Sequence, residues 1–251
     1  MNAATPKGFF TVGVSPERYQ LPHPCLGLPV ILLIRRVLCR AFEILREEKK
    51  VKLADADENH VTAALLSVIE NNLRQSGSIP GFNGHNYDRV GRQGQVANFD
   101  GTRLAKSPDL CFKLRYDDGG PGMVLSEFDG LFVECKPVDK KHFAGSDYCD
   151  DGLIRFVRGD YAWAMQEGMM LAYARDGRTI AGHLIPAMDD PERRTSLATV
   201  ELPQACRASD ATADAHAEPI HISKHRRGFP WPHKKGKATD VTIYHLWHDC
   251  G

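Results

Sequence analysis

From Val30 onward, Ile34, Val37, Leu38, Ala41, Phe42 and Leu45 recur at steps of three and four, and charged residues fill the opposite side as far as Glu47-Glu48-Lys49-Lys50. That period predicts an amphipathic helix packed on a core. A second helix is predicted from about Asp55 to Gln75, with Val61, Leu65, Val68, Ile69 and Leu73 inward and Gly77 and Pro80 closing it. The pattern then shortens to period two. Asp109 to Arg115 sets Asp109, Cys111 and Lys113 against Leu110, Phe112 and Leu114, and Gly130 to Lys136 reads Leu-Phe-Val-Glu-Cys-Lys after its glycine. Both are expected strands, the second ended by Pro137. Between them, Asp117 to Gly122 carries a turn signature. A long helix is expected within Gly159 to Arg175, a strand over Thr179 to Ile185, and a last strand over Val241 to Trp247. The intervening stretches are expected to be irregular: a proline-marked arm over 1–27, a glycine-rich stretch over 81–107 with short strand-like pieces such as Gln95 to Phe99, and a long loop or small excursion over 186–219.

This order is mixed α/β without strict β-α-β alternation. It predicts a central mixed sheet of about four or more strands flanked by helices, with N-terminal helical and C-terminal additions. The divisions are an arm and helix over 1–53, a core over 54–185, and an extension over 186–251 packed on the same domain. At 251 residues, 42% hydrophobic and 25% charged, the chain has the composition of a globular protein. Lys+Arg and Asp+Glu both total 32, so a histone-like polycation is excluded while a local basic site is not. The apolar run Leu28 to Ile34 stops at Arg35-Arg36, far short of the roughly 20 residues that span a bilayer. No secretory signal is visible in the first residues, and the seven scattered cysteines form no C-x-x-C pair. A reducing, cytoplasmic setting is the expectation.

The candidate chemistry lies where the two period-two segments meet. Pro108-Asp109 opens the first, and Glu134-Cys135-Lys136 closes the second. Alternation puts Glu134 and Lys136 on one face and Val133 and Cys135 on the other. If the strands pair, two carboxylates and an ammonium converge at one end of the sheet. Two carboxylates can hold a hard divalent cation such as Mg²⁺, and a lysine can steady charge growing on phosphorus. An acidic-x-Lys pattern occurs four times in the chain, but only Glu134/Lys136 stands on an apolar strand. There, burial of a Glu and a Lys demands a reason.

With these residues as its two motifs, the sequence resembles the PD-(D/E)XK nuclease superfamily over about Asp55 to Ile185. The resemblance implies a restriction-endonuclease-like core and Mg²⁺- (or Mn²⁺-) dependent phosphodiester hydrolysis, most often of DNA. By similarity, Asp109 and Glu134 bind metal, the Cys135 carbonyl is a further ligand, and Lys136 assists the attacking water. Glu58 is the match for an upstream helix glutamate in the metal shell, and Gln166 for a polar residue on the helix after the motif strand. Restriction or defence against foreign DNA, as a homodimer or within a defence complex, is an association of the family. RNA or structured DNA as substrate, and a non-catalytic binding or assembly module, remain the rivals.

Blander readings stand beside each residue. Glu134 and Lys136 could be an ion pair on a solvated sheet face, Asp109 a turn residue, and Gln166 an interfacial helix polar group. Glu58, three residues after Asp55, fits a capping box as well as a metal shell. Arg155 and Arg158 could contact phosphates or be solvated. His221 to Lys237 carries Lys224, Arg226, Arg227, Lys234, Lys235 and Lys237 without an acid, interleaved with Phe229 and Trp231. Such a segment suits backbone phosphates and an unpaired base, or is a solvated basic loop. His221, His225, His245, His248 and Cys250 raise zinc, without the close cysteine pairs that usually mark it. No phosphate-loop or nucleophile-elbow signature is present.

Overall fold

The computed structural model describes residues 21–91, 97–102, 107–115, 126–206, 219–232 and 236–251. The first predicted helix forms as α1, Leu28–Glu48, burying Ile31, Ile34, Val37, Leu38, Ala41, Phe42 and Leu45. The second runs as α2, Glu58–Val68, continues through a π-wound turn at Ile69–Leu73, and ends as α3, Arg74–Ser76. Gly77 stops it in the left-handed conformation that a glycine adopts without a Cβ clash.

Six strands make one mixed sheet. They are β1 Leu110–Phe112, β2 Leu131–Val138, β3 Glu167–Ala174, β4 Thr199–Ala205, β5 Ile220–His225 and β6 Val241–Asp249, in the spatial order β1-β2-β3-β6-β5-β4. The pairs β2/β3 and β3/β6 are parallel, and the others are antiparallel. The C-terminal strand β6 therefore lies in the middle of the sheet. Between β2 and β3 runs a crossover of π-wound Ala144–Leu153 followed by α4, Ile154–Arg158. Alternation along the registered strands divides the side chains. Cys135, Tyr173 and His248 face α1 and α2, where Phe42 stacks on His248 at 3.9 Å and Thr62 Oγ1 lies 2.8 Å from the Tyr173 hydroxyl. Glu134, Lys136, Met170, His245 and Trp247 face the crossover. The crossover lies close on the sheet because Gly152 has no side chain. A Cβ there would meet Met170 Cε at 2.7 Å.

Several expectations are corrected. The helix expected within Gly159 to Arg175 is instead a turn followed by β3. Its Ala, Met and Leu residues favour helix intrinsically, but a central parallel strand is buried on both faces, and all eight residues of β3 are. The strand expected over Thr179 to Ile185 is helical, π-wound over Ile180–Leu184 and continued by α5, Ile185–Asp189, with the Thr179 hydroxyl accepting from Gly182 N–H. A short apolar run carries no decisive period. The loop expected over 186–219 holds α5, α6 (Pro191–Ser196, capped by Asp190) and β4. Pro137 does not end β2. Cys135 N–H points to the β1 side, where β1 pairs only Leu131 to Val133, so two residues on the missing N–H of Pro137 interrupts no ladder bond. Ala97 to Phe99 form no strand. The Asp117–Gly122 turn, residues 1–20 and Gln95 lie outside the described residues.

On the crossover side, β5 and β6 bury a chain of neutral groups. His225 Nδ1 donates to the Leu197 carbonyl at 2.9 Å, which leaves Nε2 to accept from Ser223 Oγ at 2.8 Å. Ser223 then accepts from His245 Nε2 at 2.7 Å, and His245 Nδ1 accepts from the Tyr148 hydroxyl at 2.9 Å. Burial pushes the pKa of His225 down to about 4, that of His248 to about 4, and that of His245 well below its ordinary value. A depressed folded-state pKa gives stability that is whole above the unfolded value near 6.5 and is lost as pH falls toward 4. We expect the urea midpoint to fall on acidification from pH 6.5 to 5, with about 2 kcal/mol lost through His225 alone. Midpoints measured across that range at constant m-value check it.

Candidate active site

The site is built where β1 begins. Asp109 immediately precedes β1, and its Oδ2 accepts Cys135 N–H at 2.7 Å, on the side of β2 that β1 no longer covers. One residue to either side, Glu134 and Lys136 turn their side chains to the crossover face, 1% and 7% exposed. Glu58 approaches from the first turn of α2. Asp57, not Asp55, caps that helix, accepting from His60 N–H at 2.9 Å, so Glu58 is not tied into a capping box with Asp55. Its two oxygens lie 3.2 and 3.3 Å from Lys136 Nζ. Lys136 Nζ also stands 3.3 Å from Glu134 Oε1 and 3.8 Å from Asp151.

Two further residues complete the cluster. Arg155 of α4 donates to Glu134 Oε1 at 2.6 Å and to Asp151 at 3.0 Å, and the Tyr161 hydroxyl donates to Glu134 Oε2 at 2.5 Å. Glu134 is thus held at both oxygens, whereas Glu58 and Asp109 are partly exposed and Asp151 is exposed. Burial first, and the charge of Asp109 second, raise the Glu134 pKa to about 7 against the opposing pull of Arg155 and Lys136. Burial likewise raises that of Glu58, opposed by Lys136. For Lys136, burial works against the charge, but Glu134 and Glu58 outweigh it and the pKa rises. Four carboxylates, Glu58, Asp109, Glu134 and Asp151, thus meet two fixed cations.

Among the described residues no three His, Cys, Asp or Glu side chains stand in metal-holding geometry. The positive centre between Glu58 and Glu134 is the lysine ammonium. The donor chemistry nevertheless fits a hard divalent cation, being carboxylate oxygen throughout with negative charge in excess.

The structure brings Asp109, Glu134, Lys136, Glu58 and Arg155 together, along with the backbone of Cys135. It does not bring Gln166. That residue precedes β3 outside any helix, and its Nε2 donates to the His23 carbonyl at 3.1 Å. Arg158 is exposed at the end of α4. Arg227 is corrected. It is 5% exposed, donates to the carbonyls of Thr239, Ala162 and Trp163, and lies over the rings of Phe229 and Trp231 at 5.4 and 5.3 Å. Phe229 and Trp231 are themselves buried in a cluster with Trp163, so none of the three faces a nucleic acid. Arg226 and Lys237 are exposed and Lys224 is half-buried, whereas Lys234 and Lys235 lie outside the described residues. Sequence reasoning missed Asp151 and Tyr161. The i,i+4 spacing of Asp151 and Arg155 was a usable signal; nothing local marks Tyr161.

The chain matches no protein-family model, no curated protein and no solved structure. Among the described residues no helix is long and apolar enough to cross a membrane.

Tyr161→Phe should remove a hydrogen bond to a charged acceptor, costing about 2 kcal/mol at pH 8. At pH 5, with Glu134 protonated in the fold, the cost should shrink to about 1 kcal/mol. Denaturant unfolding of the variant and wild type at both pH values measures the difference.

Proposed function

We propose that the protein is a divalent-metal-dependent phosphodiesterase of the PD-(D/E)XK type, acting on DNA. The observation that carries this reading is the placement of Asp109 on the Cys135 N–H, beside a Lys136 ammonium bridging Glu58 and Glu134, at an uncovered stretch of β2. The order α2, β1, β2, crossover helix and parallel β3 supports the same family of cores. Glu58, Asp109, Glu134 and the Cys135 carbonyl would hold Mg²⁺ or Mn²⁺. Bound there, the metal would lower the pKa of a water and offset charge on the phosphoryl oxygens.

The chain's own residues supply the rest. Tyr161 and Arg155 fix the rotamer of Glu134, and Asp109 is oriented by the backbone N–H of Cys135. Lys136, held charged by its carboxylates, orients the attacking water and stabilises the oxyanion of the transition state. Arg158, Arg226 and Lys237 are exposed cations suited to backbone phosphates. One observation favours a second reading. Both Glu134 oxygens are already engaged, as in a closed ion network of a binding module that does not hydrolyse.

Incubation with plasmid, single-stranded DNA and RNA, with Mg²⁺, Mn²⁺ or chelator, separates the two. Cleavage should require the metal, and Asp109→Asn and Lys136→Ala should each lower its rate by about 100-fold or more. Binding that survives both substitutions, with no substrate ever cut, would establish the binding module. Replacing Lys224, Arg226 and Lys237 together should flatten the slope of log affinity against log salt by about 2 to 3, as titration at several salt concentrations would show.

A further inference from the structure

We propose that Lys136 is also an internal counter-cation, holding the carboxylate cluster closed to divalent metal, and that Asp151 receives its ammonium when metal enters. This regulation presupposes the metal-binding reading above and acts at the same site. The cations of the cluster are held unequally. Charge-assisted hydrogen bonds from nitrogen run to about 2.7–2.9 Å. Arg155 reaches Glu134 Oε1 at 2.6 Å and Asp151 Oδ1 at 3.0 Å, and the Tyr161 hydroxyl reaches Glu134 Oε2 at 2.5 Å. The Lys136 ammonium stands 3.2 and 3.3 Å from the Glu58 oxygens, 3.3 Å from Glu134 Oε1 and 3.8 Å from Asp151 Oδ2. It is shared among three acids and gripped closely by none, so of these partners of Glu134 it is the one that can leave.

A divalent ion on Glu58 and Glu134 would take those same oxygens at about 2.0–2.2 Å, and like charges that close repel strongly away from bulk water. Arg155 is pinned between Glu134 and Asp151, so the movement falls to the lysine. Its stem lies along the crossover: a Cβ on Gly152 would come within 3.4 Å of Lys136 Cγ and 3.5 Å of its Cε. Asp151, the residue before that glycine, has a side chain 65% exposed and is not among the carboxylates assigned to the metal. Shifting the ammonium by about 1 Å would turn the approach to Asp151 into a close ion pair. Such a shift is within the torsions of the flexible four-carbon stem. Metal and lysine then compete, and the apparent metal affinity is reduced by the fraction of molecules with the lysine turned out.

The test measures Mn²⁺ binding by the full chain, from the electron paramagnetic resonance of the free ion, counting the sites that Asp109→Asn removes. With the lysine turned out in about one molecule in ten, Lys136→Gln should tighten that binding about tenfold. Mn²⁺ should also raise the Tm of Lys136→Gln more than that of the wild type, because the metal restores the missing cation, and this readout serves a destabilised variant as well. Asp151→Asn, at an exposed position, should weaken Mn²⁺ binding about threefold or more in the wild-type chain and leave it unchanged in Lys136→Gln. A metal ligand at position 151 would instead cost affinity in both backgrounds and would overturn the exchange. A Lys136→Gln chain that binds Mn²⁺ no more tightly than the wild type, or that Mn²⁺ stabilises no further, would overturn it too. Unchanged affinity in Lys136→Gln beside a wild type that cuts DNA removes this regulation and leaves the hydrolytic reading. Tighter binding with no substrate cut does the reverse.

Discussion

A lysine ammonium is costly to enclose, and the site end of this molecule is arranged around one. Lys136 is 7% exposed and lies within 3.3 Å of carboxylate oxygens from two separate elements. Removing both charges of a pair from water costs several kcal/mol for each ion, and only close, well-bonded partners return it. Hence Glu58 sits in the first turn of α2, Glu134 sits two residues away on the same face of β2, and Arg155 and Tyr161 secure the glutamate in turn. Without the ammonium, the buried Glu134 and the partly exposed Glu58 would face one another as two acids, and the junction of α2, β2 and α4 would lose its common anchor.

That anchor depends on how the crossover is wound. The stretch Ala144–Leu153 has the wider π geometry, which recurs at functional sites, and it carries Gly152 against Met170 and Lys136. The close approach sets Asp151 and Arg155 over Glu134 and Tyr148 over His245. One face of the sheet thus holds two polar systems of opposite character. Toward β2 the groups are charged and carboxylate-rich. Toward β5 they are neutral, with each proton assigned along the chain from Tyr148 to Leu197. Tyr148 stands beside the second, and Asp151 beside the first, on the same short segment.

The basic segment shows why charge along a sequence is a poor guide to surface charge. Arg227 and its aromatic neighbours look like an interface when counted, yet the guanidinium donates to carbonyls of the turn before β3 and of the loop after β5. Its cation lies over Phe229 and Trp231 in the interior. The cations left outward, Arg226 and Lys237 with Arg158 of α4, come from different parts of the chain.

Periodicity by itself determined α1, the α2 rod, β1, β2 and β6, because each buries one face or lies in an unmistakable apolar run with clear stops. It also determined that Glu134 and Lys136 share a face, since alternation in a strand admits nothing else. β3 and the helix over Ile180–Leu184 were not legible. Full burial erases the contrast of polar and apolar faces, and Ala, Met and Leu then speak for helix where neighbouring strands impose extension. Only the tertiary structure decided that Asp109 clasps the β2 backbone, that Glu58 reaches Lys136 rather than capping its own helix, and that Asp151 and Tyr161 join them. Those contacts span from 15 to 78 residues of chain, and no local spacing encodes a distance that packing alone closes.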